Sequence, residues 1–191
     1  MTSTPNEATN IGAEELTALV NLAGSLYEEA SSTAKIGAWR SAVILIGASI
    51  EAALLGTVVC MEPELRVAQL WPTGKRPLTE LGLAELVGIA TSAGWLPTST
   101  TDRRTSADPG TLVEGDVSDA VDFVRLLRNV LAHPGRHLSD FPWLDAASGD
   151  VMRPTYELCE GIAGEVFARL HDTTNGISGV LATDRSGRRS C

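Results

Sequence analysis

Residues 41–60 read SAVILIGASIEAALLGTVVC. Val43, Ile44, Leu45, Ile46, Ile50, Leu54, Leu55 and Val58 cover the helix nearly all round, and such a helix belongs in the middle of a bundle. The spacing predicts a helix over about 38–60. Gly47 and Ala48 would let a neighbour approach closely. Glu51 is the single charge. The stretch is nearly long enough to span a bilayer, but Glu51 would sit near its middle, where insertion costs roughly 2.5–3.5 kcal/mol. A buried core helix and no membrane association are therefore expected. Two readings of Glu51 stay open. It lies at an edge where the carboxylate reaches water, or it meets an arginine, Arg128 being the one in view, because an unpaired buried charge is costly.

The bulk numbers fit one helical domain. The chain has 191 residues and 43% hydrophobic content, enough for a real core. Fifteen basic residues against twenty-four acidic ones give a net charge of −9. Such a field does not draw in nucleic acid, so an RNA site has to be a local basic patch or be built between subunits. Cys60, Cys159 and Cys191 form no CxxC pair, so neither a zinc site nor a disulfide framework is indicated. With no secretory signal in MTSTPNEATN, a reducing cytoplasm is the expected compartment.

A second stretch carries the chemistry. Residues 118–138 read SDAVDFVRLLRNVLAHPGRHL. Val121, Val124, Leu127 and Leu131 make one buried stripe, with Asp122, Arg125 and Asn129 on the other side. Ser118 and Asp119 suit the N-cap, and Pro134 with Gly135 supplies the stop. That places His133 in the last turn beside unsatisfied carbonyls, where a protonated or hydrogen-bonded imidazole is favoured. Arg128 precedes it by about a turn.

The segment Arg128-Asn129-Val130-Leu131-Ala132-His133, continued by Pro134-Gly135, resembles the Arg–polar–spacer–His motif of the HEPN superfamily. The apolar helix with its lone Glu51 strengthens the likeness, which covers roughly residues 36–170 in pattern. These are small α-helical proteins, many of them metal-independent ribonucleases of defence and toxin–antitoxin systems. The resemblance implies a homodimer in which two copies of the motif face one another across a composite cleft.

The residue types suit that chemistry. Metal-free RNA cleavage needs a base for the 2′-hydroxyl proton, a cation for the growing phosphate charge and an acid for the leaving 5′-oxygen. Histidine titrates near neutrality, and the arginine fork binds two phosphate oxygens. The expected assignment has His133 as base or acid, Arg128 on the scissile phosphate and Asn129 orienting them. The product is a 2′,3′-cyclic phosphate. Arg125, Arg136 and His137 add positive charge for substrate, and Glu51 supports Arg128. Five positions on an ideal helix rotate by about 140°, so Arg128 and His133 do not share a face. The alternative is a non-catalytic HEPN-like binding module that associates with itself or with a cognate antitoxin or nucleotidyltransferase-type partner. There Arg128 pairs with Glu51 as a structural bond and His133 caps the helix.

Elsewhere the chain offers less. Residues 1–12 read as a disordered start, 13–173 as the helical domain and 174–191 as a flexible tail. Helices are expected over about 13–31, 78–93 with Thr79 as N-cap, and 155–172, with Gly37 as a break. Trp71 reads as a lid over the core, above a short turn near 65–70. Arg103 and Arg104 lie in a long polar stretch, as a solvated pair or as phosphate ligands. His133 and His137 are four apart, but Pro134 and Gly135 intervene and His171 is remote. No metal and no cofactor are expected. The sum is an all-α bundle of about five helices.

Overall fold

The computed structural model describes residues 13–72, 77–96, 117–133 and 149–187. It is an all-α bundle: α1 (Ala13–Lys35), α2 (Trp39–Cys60), α3 (Glu62–Val67), a 3-10 turn at Leu78–Glu80, α4 (Leu83–Ser92), α5 (Val117–Ala132) and α6 (Gly149–Gly187). No strand occurs among the described residues.

The apolar helix takes the central place. Helix α2 packs on α1, α4, α5 and α6, with α1 making the most extensive contact. Val43, Ile46, Ile50, Leu54 and Val58 of α2 are fully buried. They meet Val121, Val124 and Leu127 of α5, Leu86 and Ala90 of α4, and Ala163 and Val166 of α6 in one continuous core. Burying each such aliphatic side chain stabilises the fold by about 1.5–3 kcal/mol. Ser49, fully buried on α2, donates to the Ala23 carbonyl of α1 at 2.8 Å and so satisfies its hydroxyl. Among the described residues α2 is the one helix long and apolar enough to cross a membrane, and 67% of its most apolar window lies inside the protein.

Three helices end in a left-handed residue. Gly37 (φ 80°) stops α1, with the Ala38 amide returning to the Thr33 carbonyl at 3.2 Å. Gly94 (φ 76°) stops α4 in the same way, through Trp95 to Ala90 at 2.9 Å. Gln69 (φ 59°) closes α3, a position where glycine is usual. Beyond it Trp71 is buried beneath the Arg66 guanidinium, 4.8 Å from the ring centroid, and so acts as the lid expected of it.

Several boundaries differ from the sequence expectation. The helix expected over 78–93 is two pieces, because the chain turns extended at Leu81 and restarts at Gly82, whose amide donates to the Glu85 carboxylate at 3.0 Å. Thr79 lies inside the 3-10 turn and is not the cap. Helix α5 begins at Val117, which puts Ser118 and Asp119 within its first turn. Helix α6 begins at Gly149, upstream of the expected start at 155. Pro154 sits close enough to that start to cost it a single backbone bond. The same helix runs on to Gly187, so helical backbone extends past 172 through most of the stretch read as a tail. With α3 counted, the helices number six among the described residues.

Candidate functional site

The site is built on α5. Val121, Val124 and Leu127 of the expected stripe are buried, but it is completed by Val130 and not by Leu131, which is only half-buried; this stripe anchors the helix and turns its other sides outward. Position 128 lies beside that stripe, next to Leu127, and so faces the crossing with α2. There an Arg128 Nη2 stands 2.9 Å from a Glu51 Oε2. The two side chains retain 29% and 24% of their exposure, so the pair borders the core without being sealed in it. Both readings of Glu51 are thus partly met: it reaches an edge, and Arg128 is its partner. The arginine stem passes against Gly47, one turn before Glu51 on α2.

His133 follows the last assigned residue of α5 and is exposed. Its amide still donates to the Asn129 carbonyl at 2.9 Å, so the helical path carries through it. Asn129 is half-buried and, four positions earlier, lies on the same side of the helix as His133. Among the described residues no hydrogen bond or ion pair joins Arg128 to His133. The rotation of about 140° between them is realised: Arg128 turns to α2, while Asn129 and His133 follow the open side.

The remaining expected site residues are only in part brought together. Arg125 is tied to Asp122, one turn earlier on α5, at 2.8 Å, so its charge is offset within the helix. Arg136, His137, Arg103 and Arg104 lie outside the described residues. No group of three or more His, Cys, Asp or Glu suited to a metal ion occurs among the described residues.

A second polar cluster, unanticipated by the sequence reading, joins α1 to α6. Tyr156 donates to a Glu160 Oε1 at 2.7 Å, and Ser31 donates to the same oxygen at 3.1 Å. Trp39 leans on the Tyr156 ring at 5.8 Å, and Tyr27 meets Phe167 edge to face at 5.5 Å. Burial, together with the Glu160 charge, pushes the Tyr156 phenol up to about 12, so it is a donor and not a base at neutral pH. Burial likewise pushes the Cys159 thiol up to about 12, which makes it an inert core residue. The tyrosine–glutamate spacing of four was the available signal, but it is equally common on a solvated helix face.

No protein family, no curated protein and no solved structure matches the chain.

Proposed function

We propose that this is a HEPN-like protein that cleaves RNA without a metal ion, using Arg128, Asn129 and His133 at a site completed by a second copy of the chain. The observation that carries the reading is the placement of Arg128. Glu51 holds its guanidinium at the edge of the core, with more than a quarter of the side chain still open, at the end of a helix whose last turn presents His133. A guanidinium has five N–H donors, so a contact through one nitrogen leaves others for a phosphate.

In this mechanism the 2′-oxygen attacks phosphorus and the bond to the 5′-oxygen breaks, leaving a 2′,3′-cyclic phosphate. His133 of one copy takes the 2′-hydroxyl proton, and His133 of the other gives a proton to the leaving oxygen. Arg128 offsets the charge that grows on the phosphate, and Asn129 orients the imidazole. A dimer supplies the second His133 that this division of roles requires. A cytoplasmic setting among defence or toxin–antitoxin systems goes with this reading.

A second reading is favoured by the charges themselves. Arg125 and Arg128 are both answered by carboxylates of their own chain, in a protein of net charge −9. That suits a non-catalytic module which binds itself or a cognate antitoxin or nucleotidyltransferase-type protein.

The test is cleavage of a labelled structured RNA in EDTA by wild type, Arg128→Ala and His133→Ala, with size-exclusion elution of each. Cleavage by wild type alone, with all three eluting alike, supports the ribonuclease. Cleavage that persists in His133→Ala overturns it. Three folded but inactive proteins leave the binding module as the better account.

A further inference from the structure

The crossing of α2 and α5 holds more than an ion pair. A Cβ placed on Gly47 would lie 3.0 Å from the Cγ, 3.1 Å from the Cβ and 3.3 Å from the Cδ of Arg128. Carbon atoms pack best at about 3.5–4.0 Å, so the arginine stem occupies the space that a side chain at position 47 would need. Two of the three atoms are at the root of the arginine, fixed close to the α5 backbone. Swinging the far end of the side chain cannot relieve them. Relief requires α5 or the arginine stem to give by a few tenths of an ångström, and that shift is passed along the stem toward the Glu51 contact.

Other helix glycines among the described residues are different. On the same helix, a Cβ at Gly56 would meet its nearest neighbours at 3.7–3.9 Å, which is ordinary contact. Gly88, Gly161 and Gly164 would meet nothing within 4 Å. Gly47 is thus set apart from them: there a methyl would come closer than ordinary contact, and the side chain it would press on is Arg128.

The geometry points to Gly47 as a positioning residue for Arg128: its missing side chain is the slot along which the arginine stem lies, and Glu51, one turn further along α2, is the stop at which the guanidinium comes to rest. The slot sets the reach and the stop sets the direction. Applied to RNA cleavage, this assignment rests on the ribonuclease reading; applied to the Arg128–Glu51 contact, it stands without it.

The experiment compares Gly47→Ala with Gly56→Ala, each made in wild type and in Arg128→Ala, and adds Glu51→Gln with and without Gly47→Ala. Thermal unfolding and RNA cleavage in EDTA are read for all. Gly56→Ala is expected to leave melting temperature and rate unchanged or raised. Gly47→Ala lowers the melting temperature, and kcat falls about tenfold to a hundredfold, more than KM rises, as for a displaced group at the reacting centre. Its penalty shrinks in Arg128→Ala, where the slot has been vacated, and Glu51→Gln costs little once Gly47→Ala has broken the register. Equal penalties for Gly47→Ala in both backgrounds, or undiminished sensitivity to Glu51→Gln, overturn the assignment. Should Gly47→Ala alone fail to fold, the double variant decides: folding as well as Arg128→Ala supports the slot, and failing to fold overturns it. If wild type cleaves no RNA, the ribonuclease reading falls and the melting temperatures alone decide on Gly47.

Discussion

Glu51 and Glu160 both join one helix to another, and the molecule answers them with different chemistry. Glu51 of α2 meets a cation from α5, with about a quarter of each side chain open to water. Glu160 of α6 meets two hydroxyls, one from its own helix and one from α1, with Trp39 packed on the tyrosine that donates. Hydroxyls carry no charge to redirect, so the α1–α6 contact works as a fixed seam. An arginine keeps its charge and its spare donors whichever partner it meets, so the α2–α5 contact can be shared with an incoming anion.

The largest expected effect separates the two contacts by activity. Arg128→Ala should lower RNA cleavage by about 10²–10³-fold, as for loss of a group that offsets transition-state charge. Tyr156→Phe should leave the rate within about twofold at a temperature where both proteins are folded. Steady-state cleavage of a labelled RNA distinguishes them, and equal losses would erase the contrast.

Alkali should find the α1–α6 side next. The Tyr156 phenol is raised from 10.0 to about 12 in the folded protein, first by burial. An unfolded tyrosine releases its proton near 10, so the unfolded state binds fewer protons above that pH and the folded state loses stability as pH rises from about 10 to 12. Allowing for solvent screening, the loss is on the order of 1–2 kcal/mol. Cys159, raised from 9.0 to about 12 by burial, adds a loss of the same sign that begins nearer 9. Urea unfolding followed between pH 8 and pH 12 should show the decline, and Tyr156→Phe should make it shallower, leaving the part that Cys159 contributes. A profile that Tyr156→Phe leaves unchanged would remove the buried phenol from the account.

At neutral pH the same substitution should cost about 1 kcal/mol, the net worth of one hydrogen bond to a charged group less what Ser31 retains. Chemical denaturation measures it. Smallest of all is the cost of Glu51→Gln, within about 0.2–1 kcal/mol for a partly exposed pair, and it should shrink in high salt. A Glu51→Gln cost above that of Tyr156→Phe would reverse the ranking and make the α2–α5 contact the structural one.

The Arg128–Glu51 contact was legible in the sequence because a lone carboxylate on a fully apolar helix calls for a cation, and the motif helix offered one beside its buried stripe. Gly47 was legible only as a place of close approach, since nothing in one chain of letters says which neighbour arrives there. The Ser31–Glu160 bond was not legible: its partners are far apart in the chain, and a short polar side chain near the end of α1 looks like any other solvated position. The break at Gly82 escaped for a local reason. The apolar residues on either side of Leu81 keep helical spacing, and the extended backbone between them shows only in three dimensions. Position 133 was placed correctly at the end of its helix. Its exposure follows from the buried stripe, which fixes the rotation of α5 about its axis.

The tight left-handed stop at Gly37 has a consequence for the order of assembly. It joins α1 to α2 with almost no intervening chain, so these two helices can zip together as a local hairpin at little loop-closure cost. Arg128 reaches the same hairpin only after the whole of α3 and α4 has been threaded past, and its contact is formed at the edge of that hairpin. In native-state hydrogen exchange the amides of α2 should open only with global unfolding, whereas the last turn of α5 should exchange through smaller, more frequent openings. The part of the molecule proposed to meet RNA then opens more often than the hairpin that carries it.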